Sequence, residues 1–262
     1  MHAIERGTGT PLILIHGFGV DHRLMLPLDG VAEAAGGWRR IYLDLPGTPG
    51  TPIGDVAGSE DVVAVVEAEI RRRVGDEPFA IVGSSYGGMI ARRVAHDLRS
   101  QVCGLATIAA VFVAEHAERD VPEFVILRQE PGLDGILGDA AKTFRDESVV
   151  QTRDNARAFV EHVWPGLSSV DEDALERIAA RYALDVEPED ASPEPFTAPG
   201  LFITGRQDTV VGYRDAWARA EHYPRSTFVT LDATGHNPHL ERFDVTAMLL
   251  TDWLDRIRVE AA

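Results

Sequence analysis

The sequence predicts an α/β fold with a mostly parallel, doubly wound sheet. Short apolar segments such as 12–15 and 79–82 have the length of strands that are buried on both faces. Segments with apolar residues at three- and four-residue spacing separate them, as over residues 62–70. This alternation breaks after residue 111 and resumes at residue 200. A parallel sheet with helices on both faces and one long insertion is therefore expected.

The individual elements follow from local pattern and from turn residues. We predict strands over residues 12–15, 40–44, 79–83, 103–111, 200–204 and 227–231. Helical spacing is mixed over 20–35 and clearer in four further segments. Those four are a helix capped by Ser59-Glu60-Asp61, one over 89–98, one over 213–222 and a last one over 244–257. No internal repeat or low-complexity tract stands out.

The insertion divides the chain into two predicted units. Residues 1–111 and 197–262 form the core domain, and residues 112–196 form a helical cap inserted before the strand that ends near Asp208. Amphipathic stretches at 140–164 and 171–184 support helices there, and the proline-rich segment 187–195 returns the chain to the core. The insertion has 20 acidic and 8 basic residues, which is typical of solvated helix surfaces and also suits repulsion of anionic substrates.

Composition excludes several classes of function. At 262 residues and 45% hydrophobic, the chain can bury a large core. A net charge of −17 with no basic stripe argues against nucleic-acid partners and anionic membranes. Cys103 is the single cysteine, which excludes an intrachain disulfide and a thiolate metal cluster.

The distribution of apolar residues in the sequence also predicts the cellular location. The first residues lack the apolar core of a signal peptide, and no apolar run approaches the ~20 residues that span a bilayer. We therefore expect a cytoplasmic protein. Lys142 is the only lysine, which suggests a GC-rich bacterial source. The sequence leaves the oligomeric state open.

One segment carries a nucleophile signature. Gly83-Ser84-Ser85-Tyr86-Gly87 matches G-x-S-x-G where an apolar strand meets a helix. Glycines at the flanking positions avoid collision with neighbouring backbone, and the sharp turn raises the Ser85 hydroxyl above the sheet. Taken alone, the pentapeptide is equally compatible with a tight turn that has no chemistry.

Two later residues supply the partners that a serine nucleophile needs. A hydroxyl requires a base, and the base requires an acid that fixes its tautomer. Asp208 and His236 each follow a predicted strand, so their side chains are expected at the same sheet edge as Ser85. Asp232 is a fallback acid and His239 an alternative base, while a capping role for Asp208 stays open.

The other histidines are expected to have structural roles. His16 is expected to organise its loop, and the remaining ones show no ligand spacing: His22, His96, His116, His162 and His222. The sequence contains no metal or nucleotide motif, so no cofactor is expected.

These motifs together resemble the α/β-hydrolase superfamily over nearly the whole chain. The residues that carry the resemblance are His16-Gly17-Phe18-Gly19, Asp44-Leu45-Pro46-Gly47, the segment Gly83 to Gly88, Gly205-Arg206-Gln207-Asp208 and Gly235-His236-Asn237-Pro238-His239-Leu240-Glu241. The resemblance implies an oxyanion hole formed by the backbone N–H groups of Tyr86 and Phe18. Such donors contribute on the order of 3 kcal/mol each to transition-state stabilisation.

The resemblance implies a hydrolase with a Ser85-Asp208-His236 triad. Related dehalogenases and epoxide hydrolases use aspartate at the nucleophile position, so a serine disfavours both. We expect a small, largely apolar ester or related carbonyl compound as substrate. The aromatic residues expected to be partly exposed in the pocket are Phe18, Tyr86, Phe112, Phe124, Phe159 and Trp164. Carbon–carbon bond hydrolysis, perhydrolase or lyase chemistry with the same triad, and a ligand receptor that retains the triad are the alternatives.

Overall fold

A seven-stranded sheet forms the centre of the computed structural model, which describes residues 1–261. Its first five strands are β1 (Ala3–Arg6), β2 (Thr10–Ile15), β3 (Trp38–Leu43), β4 (Phe79–Ser84) and β5 (Val102–Ile108). A small two-stranded sheet pairs β6 (Arg128–Gln129) with β7 (Val150–Gln151). The last two strands of the main sheet are β8 (Gly200–Gly205) and β9 (Ser226–Leu231).

Strand order in the main sheet is β1-β3-β2-β4-β5-β8-β9. Only β1 runs antiparallel to its neighbour, and all the other pairs are parallel. Because β2, β4, β8 and β9 are parallel, their carboxyl ends lie along one edge. The mostly parallel α/β fold predicted from the sequence is confirmed.

Twelve α-helices join these strands or fill the insertion among the described residues. They are α1 (Asp29–Ala35), α2 (Ser59–Val74), α3 (Tyr86–Asp97), α4 (Asp134–Leu137), α5 (Ala141–Glu147), α6 (Arg153–His162), α7 (Trp164–Leu167), α8 (Glu172–Ala179), α9 (Pro188–Ala191), α10 (Arg214–Ala218), α11 (Pro238–Glu241) and α12 (Phe243–Ala261). Short 3-10 turns occur at five further places, for example at His22–Leu24.

The sheet separates two apolar cores, as expected for a doubly wound arrangement. Along β2, Ile13 and Ile15 pack into one core, whereas Leu12 and Leu14 pack into the other. All four side chains are essentially inaccessible to solvent. Alternate residues of a strand point to opposite faces, so a continuous apolar run is the pattern of a strand that is covered on both sides.

Three local features differ from the sequence-based expectation. The predicted helical segment 20–35 is mostly 3-10 turn, with α1 limited to Asp29–Ala35. The edge strand β1 was not predicted, because its four residues are only half buried and carry little apolar signal. Ser59 does not cap α2. Its hydroxyl donates to the Tyr182 carbonyl oxygen at 2.6 Å instead.

The insertion is tied to the sheet-flanking helix α3 by a buried ionic cluster. Arg92 of α3 is fully buried, and its Nε donates to Glu189 Oε1 at 2.8 Å. Its Nη2 also donates to Glu187 Oε2 at 2.8 Å, and Tyr223 donates to Glu189. The predicted return linker therefore contains a helical turn, α9, that carries a buried anchor. The division into core and cap stays a prediction.

Candidate active site

The turn between β4 and α3 holds Ser85 in a strained conformation. Its backbone has φ 53° and ψ −118°, a region that residues with a side chain rarely adopt. The Ser85 N–H donates to Ile108 O at 2.9 Å, and its carbonyl oxygen accepts from Val111 N at 3.1 Å. A Cβ at Gly83 would lie 2.2 Å from the Gly87 oxygen, so the flanking glycine is sterically required.

Ser85, His236 and Asp208 form one hydrogen-bonded line. His236 Nδ1 lies 3.0 Å from Asp208 Oδ2, and His236 Nε2 lies 2.9 Å from Ser85 Oγ. Because a carboxylate only accepts, Nδ1 carries the proton and Nε2 is free to accept the serine proton. Burial alone would lower the pKa of His236, but the Asp208 carboxylate outweighs it, and the pKa is raised above 6.5.

Asp208 is held by backbone donors as well as by His236. Its carboxylate is completely buried, and Oδ1 accepts from the N–H groups of Val210 at 2.8 Å and Val211 at 3.1 Å. The residue therefore closes a turn after β8 with one oxygen and faces the imidazole with the other. The capping alternative weighed from the sequence is not realised, because α10 begins after Tyr213 without a side-chain cap.

Asp232 and His239, the alternative acid and base considered from the sequence, have other hydrogen-bond partners. Asp232 is exposed, and its Oδ1 accepts from Gln207 Nε2 at 2.9 Å. His239 is fully buried, and its Nε2 donates to the Leu24 carbonyl oxygen at 2.9 Å. Burial lowers the pKa of His239 to about 4, so this imidazole stays neutral. The structure does not bring either residue to Ser85.

The first residue of α3 and the loop Gly17–Phe18 lie beside the nucleophile. Tyr86 is the first residue of α3, so its N–H has no intrahelical acceptor. Opposite it runs the loop Gly17–Phe18, where a Cβ at Gly17 would lie 3.2 Å from Ser85 Cβ. His16 organises this loop, since its Nδ1 donates to Gly17 O at 2.7 Å and its Nε2 accepts from Leu45 N at 2.9 Å.

An aromatic cluster supports that loop from below. The ring of Phe18 packs edge-on against Tyr86 at 5.3 Å and against Tyr182 at 5.5 Å between centroids. The Ser59 hydroxyl donates to the Tyr182 carbonyl oxygen, so Tyr86 donates its own hydroxyl proton to Ser59 Oγ at 2.9 Å. The position of Phe18 thus depends on both the core and the insertion.

A cavity of about 510 Å³ opens above Ser85 and His236. Apolar side chains from the sheet edge and from the insertion line much of it, including Val20, Leu24, Val111, Val163, Leu167 and Val210. Polar groups also reach it, among them Arg119, Glu147 and Tyr182. The insertion therefore contributes one wall of the cavity.

Most of the aromatic residues predicted for this pocket do not line it. Phe18 does, but Phe112 is buried beneath the guanidinium of Arg92, 3.9 Å from its ring centroid. Phe159 packs on Phe144 in the apolar core, and Trp164 packs partly buried against that core. Phe124 is 43% exposed on the surface, whereas Tyr86 is buried and does not line the cavity. Helical spacing could not separate core-facing from cavity-facing rings.

Comparison with known proteins agrees with this geometry. The model of the Alpha/beta hydrolase family matches residues 12–249, which is most of the chain. This chain belongs to the α/β-hydrolase family. The sequence-based recognition is thereby confirmed.

Individual relatives are more distant. This hydrolase is 24% identical to a pimeloyl-[acyl-carrier protein] methyl ester esterase of Shewanella woodyi, over 98% of both chains. It is 27% identical to the protein of the same name from Aeromonas hydrophila, over 91% of this chain and 93% of that one. A solved α/β superfamily hydrolase from Oenococcus oeni superposes with a TM-score of 0.91 at 25% identity, covering 98% and 96% of the two chains.

Two carboxylates near His236 in this hydrolase were not singled out from the sequence. Glu241 accepts from Gly235 N at 3.0 Å and from Asn237 N at 3.4 Å, so one carboxylate holds both residues that flank His236. Burial raises the pKa of Glu241 to about 7. Glu147, at the end of α5, lines the cavity, and burial raises its pKa too. For Glu241, its place six residues after Gly235 was the available signal.

One group of side chains in the hydrolase has the donor types of a metal site. Ligand atoms of His2, His22 and Asp44 all lie within 4.8 Å of one another. Both imidazoles donate to the Asp44 carboxylate, at 2.6 Å from His2 and 2.9 Å from His22. Despite burial, which acts in the opposite direction, these bonds lower the pKa of Asp44 to about 2. The mutual hydrogen bonds account for the cluster without a cation.

Among the residues that the structure describes, no helix of the hydrolase combines the length and the apolar character needed to cross a bilayer.

Proposed function

We propose that this chain is a cofactor-independent serine hydrolase that cleaves a small, largely apolar carboxylic ester through an acyl-enzyme. One observation carries the proposal: the line from Ser85 Oγ through His236 to the buried Asp208 carboxylate opens into a mainly apolar cavity. The names of the curated relatives, which are methyl ester esterases, support ester cleavage.

Each proposed chemical step uses a group at the site. His236 Nε2 accepts the Ser85 proton as the oxygen attacks the ester carbonyl, and Asp208 stabilises the imidazolium that forms. The Tyr86 and Phe18 N–H groups are proposed to stabilise the resulting oxyanion. His236 then protonates the leaving alcohol. A water molecule activated by the same imidazole releases the acid and restores Ser85.

The insertion is proposed to act as a cap. Residues between 112 and 196 form one side of the cavity, and the Arg92–Glu189 anchor ties their return segment to α3. Substrates that reach Ser85 therefore pass between this segment and the sheet edge. Their size and shape are limited by a volume of about 510 Å³.

Hydrolysis of short p-nitrophenyl esters tests the proposal. Ser85→Ala removes the nucleophile and is expected to lower kcat by at least about 10⁴-fold with the fold intact by circular dichroism. Ser84→Ala is the matched control, because the neighbouring hydroxyl is buried and has no hydrogen-bond partner among the described residues. Unchanged turnover in Ser85→Ala would reject the assignment. A single acylation event without turnover in the wild type would favour the receptor alternative.

A further inference from the structure

Glu147 and Glu115 are the two acidic residues that line the cavity among the described residues, and Glu147 is the less exposed of them. It lies at the carboxyl end of α5, and its side chain is partly buried. Among the described residues, no hydrogen bond or ion pair engages its carboxylate. A carboxylate that is partly removed from water without a partner lowers stability, so such groups are normally paired.

Glu147 lies next to His236, the proposed base of the triad. The main-chain oxygen of Glu147 would lie 3.1 Å from a Cβ placed on Gly235, the residue before His236. Both Glu147 and His236 line the cavity. The carboxylate charge also contributes to raising the pKa of His236, after the larger effects of burial, which lowers it, and of Asp208, which raises it.

The arginine that lines the same cavity has other hydrogen-bond partners. Arg119 lines the same cavity, but its guanidinium donates to three main-chain carbonyls, those of Val113, Ala114 and Val210, at 2.8 to 3.0 Å. Arg119 therefore braces the start of the insertion against the loop after β8. It does not pair with Glu147 in the structure.

We propose that Glu147 forms a subsite for a cationic group carried on the alcohol portion of the ester. This inference rests on the proposed ester hydrolysis. His236 must protonate the leaving alcohol, so the alcohol portion lies on the His236 side of Ser85, which is also the side of Glu147. An ammonium group there would supply the partner that the carboxylate lacks, and the apolar wall would contact its methyl or methylene groups.

The charge of the whole chain favours the same ligand. The net charge of −17 repels anions and attracts cations over distances of about a Debye length. Glu115, which is exposed, adds a further carboxylate to the cavity lining. An alcohol with a quaternary ammonium group combines positive charge with an apolar surface and fits both features.

Choline and 3,3-dimethylbutan-1-ol provide a matched pair of probes, since they share their shape and differ in charge. Each is tested as a competitive inhibitor of p-nitrophenyl acetate hydrolysis. In the wild type, choline is expected to bind at least about tenfold more tightly than the neutral alcohol. In Glu147→Gln, the ratio of the two inhibition constants should fall to about 1, whereas Glu147→Asp should retain part of the preference.

Asp146→Asn is the control variant. Asp146 precedes Glu147, its side chain is 58% exposed, and it pairs with Lys142 at 2.5 Å. The control removes the same charge close by and should keep the preference for choline. Equal inhibition by the two probes in the wild type, or a preference that survives Glu147→Gln, would overturn the subsite.

The subsite and the proposed function can fail separately. If the chain hydrolyses no ester, binding of the two probes is measured by calorimetry. Tighter binding of choline that depends on Glu147 would then support the subsite and leave the hydrolase assignment rejected. Hydrolysis of p-nitrophenyl acetate without any preference for choline would reject the subsite alone. If Glu147→Gln does not fold, as seen by circular dichroism, the wild-type ratio and Glu147→Asp decide the question.

Discussion

His236 Nδ1 lies 3.0 Å from Asp208 Oδ2, although the two residues are 28 positions apart in the chain. Asp208 is completely buried, and two backbone N–H groups fix its second oxygen. The direction of the carboxylate is therefore set before any substrate binds. A rigid acid of this kind fixes the imidazole tautomer that the proposed mechanism requires.

Asp208→Asn tests this relationship. The amide keeps the shape but removes the charge, so kcat is expected to fall by on the order of 10³- to 10⁴-fold. Asp208 raises the pKa of His236. Without it, the acid limb of the kcat/KM profile should move to lower pH, because the imidazole then stays neutral further into acid. The measurement is the pH profile of the residual activity.

Asp232→Asn is the matched control for that variant. Asp232 is exposed, contacts Gln207 and does not reach His236. Its activity should stay within about twofold of the wild type, in line with the small effects of surface changes. An equal loss of activity in both variants would contradict the role given to Asp208.

Glu241→Gln tests the carboxylate that holds the loop around His236. The pKa of Glu241 is raised from 4.5 to about 7 by burial, so the native state binds a proton that the unfolded chain has released. Stability from this group is complete below about pH 4.5 and is lost as the pH rises through 7. The loss is about 3 kcal/mol by the linkage relation.

The measurement compares the free energy of unfolding at pH 5 and pH 8 in urea. The neutral glutamine has no such proton to lose, so the difference between the two pH values should be smaller in the variant by about 2 to 3 kcal/mol. The same pH dependence in both proteins would show that Glu241 does not titrate in this range.

Glu189→Gln tests the buried anchor of the insertion. Arg92 is fully inaccessible to solvent, and removing the charge of its main partner leaves a guanidinium incompletely compensated. We expect a loss of about 3 kcal/mol in the free energy of unfolding. Asp190→Asn is the control, because Asp190 is 54% exposed and pairs with Arg219 at the surface. Its cost should stay below about 1 kcal/mol. Equal effects would refute the anchor.

Gly87→Ala tests the close approach of α3 to β2. A Cβ there would lie 2.2 Å from the main-chain oxygen of His16, and neither backbone can move freely. A loss of about 2 to 4 kcal/mol is expected in denaturant unfolding. Gly30→Ala in α1 meets nothing within 4 Å and should instead stabilise the protein by about 0.5 to 1 kcal/mol. A similar change of the same sign in both variants would contradict this account.

The sequence predicted six of the seven strands of the main sheet and the proximity of Ser85, Asp208 and His236 at its edge. Strands buried on both faces give continuous apolar runs, and the glycine pattern around Ser85 follows from sterics within a single turn. Because parallel strands share one carboxyl edge, residues that follow β4, β8 and β9 were expected to meet there. The order of the residues along the chain therefore predicted their proximity.

The surroundings of Ser85, His236 and Asp208 were decided only by the tertiary structure. Whether Phe159 and Phe112 face the core or the cavity depends on how the insertion lies over the sheet, and both turned inward. Two features become apparent only when burial and hydrogen bonds are known. Glu147 has no partner for its carboxylate, and Glu241 accepts hydrogen bonds from the backbone on both sides of His236. Local sequence fixes the periodicity of each element, whereas side-chain partners across the fold come from packing between elements that are distant in the chain.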